Sequence, residues 1–143
     1  MVKKKKFSKI TLSTSSKDRW VISIARQIIE ILSSLGVEIS HDKSLPGLKN
    51  NTSSKLLSAG DIVSNSDLLI AIGGDGTILN CSRIYGSKGV PLLGINLGKL
   101  GFLSDIAPND VTTSLVEVIN GKYLTDSRSV SYTHLTLPTI LLV

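Results

Sequence analysis

Residues 68 to 80 read LLIAIGGDGTILN: five apolar residues, then three glycines set around one aspartate, then the start of a helical pattern. The apolar run has no in-and-out alternation. A strand over residues 67–72 is therefore expected to be buried on both faces, as in a parallel sheet covered by helices. The glycines Gly73, Gly74 and Gly76 let a backbone turn sharply, adopt positive φ and approach a ligand with no Cβ in the way. Asp75 is the anomaly in this stretch, a lone carboxylate in the most flexible loop a chain can write.

Working outward, a helix from about Thr77 to Tyr85 leads to a second unalternating run, VPLLGIN at 90–96. Upstream, FSKITLSTS (7–15) alternates through Phe7, Ile10 and Leu12, a strand signal. Ser16 is placed to cap a helix from Lys17 to Leu35, with Trp20, Ile24, Ile28, Ile31, Leu32 and Leu35 forming one apolar stripe. Gly36 follows where a left-handed cap wants glycine, and residues 37–40 read as a short strand. From His41 to Asn65 the text is polar and predicts loop, with a short helix around Lys55 to Ala59; His41 has no visible partner. Downstream, PNDVTTSLVEVINGK (108–122) carries a capping Asp110, apolar Val111, Leu115, Val118 and Ile119, and a terminating Gly121. This rhythm of strands and helices predicts an α/β fold, an open, mostly parallel sheet flanked by helices.

In such sheets ligands bind at the carboxyl ends of the strands, where two glycine-rich loops fall here, GGDGT and NLGKLGFLSD. A Walker loop fails, because neither Gly-Lys pair is followed by Ser or Thr. A dinucleotide fingerprint started at Gly74 and Gly76 places Leu79 where the third glycine belongs. Amides opening the helix after Thr77 can still face an anion such as pyrophosphate. In that setting Asp75 suits one of two tasks: taking a proton from an attacking hydroxyl, or orienting a hydroxyl or a metal. Taken alone, Asp beside Gly after a strand is more often a structural turn residue; three surrounding glycines weaken that reading.

The net charge of +5 is located mainly in Lys3 to Lys6, and without them the remainder is +1. Residues 1–6 thus read as a basic, solvated terminus. With one Trp, three Tyr and two Phe there is no aromatic platform for bases, so nucleic-acid binding is the lesser reading. Cys81 is the single cysteine, read as a small core residue and fitting a reducing, cytoplasmic setting. No window approaches a membrane span, and no carboxylate cluster looks like a dedicated metal cage.

GGDGT at 73–77 resembles the signature of a superfamily that includes NAD kinases, diacylglycerol and sphingosine-type lipid kinases and phosphofructokinases. The second loop, GINLGKLGFLSDI at 94–106, is similar to the Asn-x-Gly-x-x-Gly-Phe-Leu motif of NAD kinases through Asn96, Gly98, Gly101, Phe102 and Leu103, and not to the lipid-kinase segment. The resemblance implies phosphorylation of the adenosine 2′-hydroxyl of NAD by ATP, with Asp75 as general base. Gly73, Gly74, Gly76 and Thr77 would receive the nucleotide, Phe102 and Leu103 would line the adenosine pocket, and Asn96 would hold the second loop. Mg²⁺ would accompany ATP, and the full-length family member is expected to be a homo-oligomer. Asn80 stands where many family members carry a basic residue; Arg83 is an alternative phosphate contact but reads more readily as a solvent-facing arginine, and Lys99 is another, about equally readable as a surface lysine.

The family pattern leads one to expect an N-terminal α/β domain at 1–128 and then a β-rich domain opening on an Asn-Glu pair. No Asn-Glu pair occurs in the chain, and residues 129–143 read as a non-native tail, SYTHLTLPTILLV (131–143) resembling translated vector sequence. The expectation is an N-terminal part with the C-terminal β domain missing, poorly active alone. The alternatives are a non-catalytic nucleotide-binding fragment and a lipid kinase domain.

Overall fold

In a computed structural model, residues 7–48, 53–85, 89–97, 106 and 108–121 are described, together with the backbone of 123–130 and 135–142. Along the chain come β1 (Lys9–Ser13), α1 (Arg19–Ser34), β2 (Glu38–His41), β3 (Lys55–Leu56), α2 (Ala59–Asn65), β4 (Leu68–Gly73), α3 (Asp75–Tyr85), β5 (Leu92–Asn96), α4 (Val111–Ile119), β6 (Tyr123–Val130) and β7 (Leu135–Leu142). They build one sheet in the order β3-β2-β1-β4-β5-β7-β6. The first five strands are mutually parallel, with Ile10 beside Ile39 and Leu68, and Ile70 beside Leu93. β7 joins β5 through the single pair Leu92–Thr139 and runs antiparallel to β6.

The unalternating text is explained by helices on both faces. Every residue of β4 and β5 is buried. Leu68, Ile70, Ile72, Leu93 and Ile95 pack on the side of α1 and α4, whereas Leu69, Ala71 and Leu92 pack with Ile62 of α2 and Ile78, Cys81 and Tyr85 of α3. β1 lies centrally and buries Ile10 through Ser13 without alternation, so its weak alternating signal came from a strand covered on both faces.

α1 holds by its stripe: Val21, Ile24, Ala25, Ile28, Ile29 and Leu32 are buried, each large aliphatic worth about 1.5–3 kcal/mol relative to exposure. The stripe is rotated from the expected one, leaving Trp20 and Leu35 exposed. Its start also differs. The cap is Asp18, whose carboxylate accepts from the Trp20 amide at 2.9 Å, and not Ser16. The helix ends as its glycine predicts: Gly36 has φ +76°, Val37 N–H bonds Leu32 C=O and Gly36 N–H bonds Ser33 C=O. That is a paired closure only a left-handed residue allows.

Three further expectations are corrected. Residues 55–56 form a short strand on β2, and the helix begins at Ala59, capped by Ser58 accepting from Asp61 N–H. At Asp110, the residue preceding α4, the side chain makes no capping bond. α3 begins at Asp75, two residues before the expected start, which takes the aspartate out of the loop and into the first helical turn.

Candidate functional site

The sheet order reverses between β1 and β4: chain order runs one way through β1, β2 and β3, then returns to β4 and β5. At such a switch point the segments leaving two neighbouring strands diverge to opposite faces and open a crevice. Here those segments are 14–18, leading to α1, and the Gly73–Gly74 turn, leading to α3. Thr14 Oγ1 donates to Ile72 C=O at 2.6 Å, and Ser15 Oγ donates to Thr77 Oγ1 at 3.0 Å. Leu97 N–H donates to Gly73 C=O at 3.0 Å, so the ends of β1, β4 and β5 are tied across the turn.

The three glycines of the turn have different reasons to be there. Gly73 has φ +156°, and a Cβ there would collide with Thr77, whose own Cβ would be 2.6 Å away. The fold itself requires that glycine. Gly74 and Gly76 have neither a positive φ nor any atom within 4 Å of where a Cβ would be. Positive φ is thus confined to Gly73, against the expectation for all three. Alanine at Gly73 is expected to cost about 1–3 kcal/mol by forcing Thr77 off the Ser15 bond. Urea unfolding of Gly73→Ala beside Gly74→Ala measures it, and the prediction fails if the two lose equal stability.

The first backbone bond of α3 runs from Ile78 N–H to Gly74 C=O at 3.0 Å. This is the N-terminal end of α3, where the positive end of the helix dipole lies. Asp75 stands half-buried at this end, Gly76 is exposed and Thr77 is buried. Asn96 is buried at the end of β5. Its N–H donates to Ile106 C=O at 2.7 Å, and Ile106 N–H returns to Gly94 C=O at 3.3 Å. The segment between Leu97 and Ile106 is thereby rooted at both ends on β5 next to Gly73. Phe102 and Leu103, with Gly98, Lys99 and Gly101, lie outside the described residues.

Sequence reasoning missed a second feature one strand away. Asp42, just past β2, is buried, and its carboxylate accepts four donors. Ser13 Oγ donates at 2.5 Å and Tyr85 Oη at 2.7 Å to Oδ2; Ser44 N–H at 3.0 Å and Ser44 Oγ donate to Oδ1. Ser44 Oγ in turn accepts from Thr14 N–H at 2.9 Å. Burial and the bond to Asp42 push the Tyr85 hydroxyl above its ordinary value. Burial pushes the Cys81 thiol up to about 11, a Ser13 hydrogen bond opposing. His41 does have a partner: its Nδ1 is 2.7 Å from Ser54 Oγ, and burial lowers its pKa against the nearby Asp42 charge. Nothing local in HDKS marks Asp42; only its place at a strand end, in line with Ser13, could have pointed to it.

Beside this knot a cavity of about 890 Å³ opens between the ends of β1 and β2, the start of α2 and one face of α3. Asn80 lines it, while Arg83 is exposed on the same helix. Among the described residues no three His, Cys, Asp or Glu side chains group as a metal cage, and no helix is long and apolar enough to cross a membrane.

Comparison with known proteins adds to this geometry. The family described as ATP-NAD kinase N-terminal domain matches residues 10–123. An NAD kinase of Saccharophagus degradans is 34% identical over 110 residues, covering 77% of this chain and 37% of that protein. One of Bacteroides fragilis is 47% identical over 66 residues, 46% of this chain and 23% of its own length. The chain thus spans less than half the length of the curated relatives it matches. In structure it is similar to a yeast NADH kinase crystallised with NADH, with a TM-score of 0.72 and 20% identity over 96% of this chain and 46% of that one, a likeness of fold.

Proposed function

The chain belongs to the ATP-NAD kinase family, and from that premise we propose that its Gly73–Thr77 turn forms part of the centre that phosphorylates NAD to NADP. The observation that carries this is the pair Gly74 and Gly76, glycines the fold does not require, flanking a carboxylate at the switch point. Space without side chains there admits a nucleotide against the backbone. Asp75 accepts the proton of the adenosine 2′-hydroxyl as its oxygen bonds to the γ-phosphorus. The bond from that phosphorus to the β-phosphate oxygen breaks, and ADP leaves. Phosphoryl transfer of this kind rests on positioning and charge neutralisation, and Mg²⁺ enters as part of the metal–ATP substrate. Asn96 holds the root of the second loop, and Phe102 and Leu103 take the adenosine of NAD. We assign these tasks to residues 1–128 and none to 129–143, and place the reaction in the cytoplasm.

The test joins this chain, cut at residue 128, to the downstream part of the Saccharophagus degradans relative. With NAD and Mg-ATP the chimera is expected to form NADP, read by an NADP-specific dehydrogenase, while the 143-residue chain alone forms none. Phosphorylation of diacylglycerol in place of NAD overturns the assignment, and equal turnover by the chain alone overturns its dependence on a second domain.

A further inference from the structure

We propose that Ser15 is a positioning residue for the transfer step: its hydroxyl, held by the segment leaving β1, fixes the first turn of α3 and with it the carboxylate of Asp75. The assignment rests on the proposed phosphotransfer and adds to it a residue that acts through another side chain.

The turn that carries Asp75 is short of side chains. Gly74 and Gly76, on either side of it, have no Cβ, and nothing lies within 4 Å of where one would be. Such a backbone samples many conformations unless something else holds it. Transfer needs the carboxylate in one place, because reacting groups must meet within about 3–3.5 Å and a misplacement of about 1 Å costs up to about 10²-fold in rate. Thr77 is the buried side chain two residues beyond Asp75, set in the space that the missing Cβ of Gly73 leaves. Ser15 Oγ donates to its Oγ1 at 3.0 Å, across 62 positions of sequence.

Ser15 can hold that turn because its own segment is fixed. Three alternate residues each receive a backbone N–H from two positions on: Thr14 Oγ1 from Ser16 at 3.0 Å, Ser16 Oγ from Asp18 at 3.1 Å and Asp18 Oδ1 from Trp20 at 2.9 Å. Local bonds of this kind stitch a turn without help from a sheet. One end of the strap is tied to β4 by Thr14 Oγ1 on Ile72 C=O and to residue 44 by Thr14 N–H on Ser44 Oγ. The other end runs into α1. Ser15 falls between the stitched residues, and its side chain crosses to α3. The contact therefore joins the two segments that part at the switch point and refers Asp75 to the β1 side of the crevice. Ser15 itself is exposed, so losing its hydroxyl opens no cavity. A neutral bond in reach of water adds only modestly to stability, and removing it tests position with the fold intact.

The experiment uses the chimera carrying residues 1–128, with NAD and Mg-ATP. Ser15→Ala is expected to lower kcat about tenfold, within the loss a misplaced group causes, with KM for NAD and ATP within about threefold of the parent. Ser15→Thr, which keeps the hydroxyl, is expected to return kcat to within about threefold of the parent. Thr77→Val removes the acceptor and keeps the shape. Both variants break one bond, so the double variant is expected to fall no more than about threefold below the slower single one, whereas independent effects multiply. In the 143-residue chain, where no turnover is needed, Ser15→Ala is expected to speed amide hydrogen exchange about tenfold or more in 75–79 and to leave 24–32 of α1 unchanged. A near-parent kcat in Ser15→Ala, multiplying effects in the double variant, or a Ser15→Thr enzyme as slow as Ser15→Ala each overturns the inference. Exchange that is unchanged in 75–79, or that rises equally in α1, overturns it as well. A chimera that forms no NADP overturns the phosphotransfer reading itself, and shows this before any variant is made.

Discussion

Asp75→Asn in the chimera is expected to lower kcat for NADP formation by about 10³-fold, within the 10²–10⁴ range of a lost general base. The carboxamide keeps the shape of the side chain but cannot take the 2′-hydroxyl proton. The competing role, a first-turn residue favoured by the helix dipole, predicts a different loss: about 0.3–1 kcal/mol of stability and a nearly unchanged rate. Steady-state kinetics and a urea melt on one preparation therefore separate the two. A base gives a collapsed kcat with KM for NAD and ATP within about threefold, since contacts made before transfer persist. An Asp75→Asn enzyme within threefold of the parent rate would remove the base assignment and leave Asp75 a structural residue.

Asp42→Ala in the 143-residue chain is expected to cost about 3–4 kcal/mol, a large share of the roughly 5–15 kcal/mol that holds a domain together. Hydrogen bonds to a charged group are each worth about 1.5–3 kcal/mol, and removing the shared acceptor strands several donors in the interior together. Ser13 and Tyr85 are buried, so water does not readily replace Asp42. Tyr85→Phe is the internal control. It removes one donor and leaves the carboxylate three, for an expected 1–2 kcal/mol. Equal losses in the two variants would mean that Asp42 is one bond among many and not the knot between β1, β2 and α3. Because Ser13 and Ser44 hold the segment that carries Thr14 and Ser15, Asp42→Ala should also loosen the wall shared by the cavity and the glycine turn.

What could be read ahead of the structure divides along a physical line. β4, β5, the cap at Gly36 and the turn at Gly73 announce themselves because their requirements are local: continuous burial, a 3.6-residue stripe, a backbone no Cβ can share. The 41–65 stretch was misread because β3 is two residues long and held by pairing to β2, a contact nothing in its own text specifies. Trp20 fits the period of the α1 stripe yet is exposed, since rotation of a helix is fixed by what it packs on. Asp75 was placed in the loop, because three glycines disguised the first turn of α3.

By itself the sequence determined the α/β class, the buried central strands and the Gly-Asp-Gly turn as the place to look, all consequences of neighbouring residues acting on one another. Only the tertiary structure decided that β1 and β4 are the strands that part, that Ser15 reaches Thr77, and that Asp42, Ser13, Ser44 and Tyr85 close into one knot beside an apolar cavity. Ser13 lies 29 positions from Asp42, and Tyr85 lies 43 positions from it. Strand order brings them together, and strand order is set by the packing of two helical layers on a sheet, which no local pattern records.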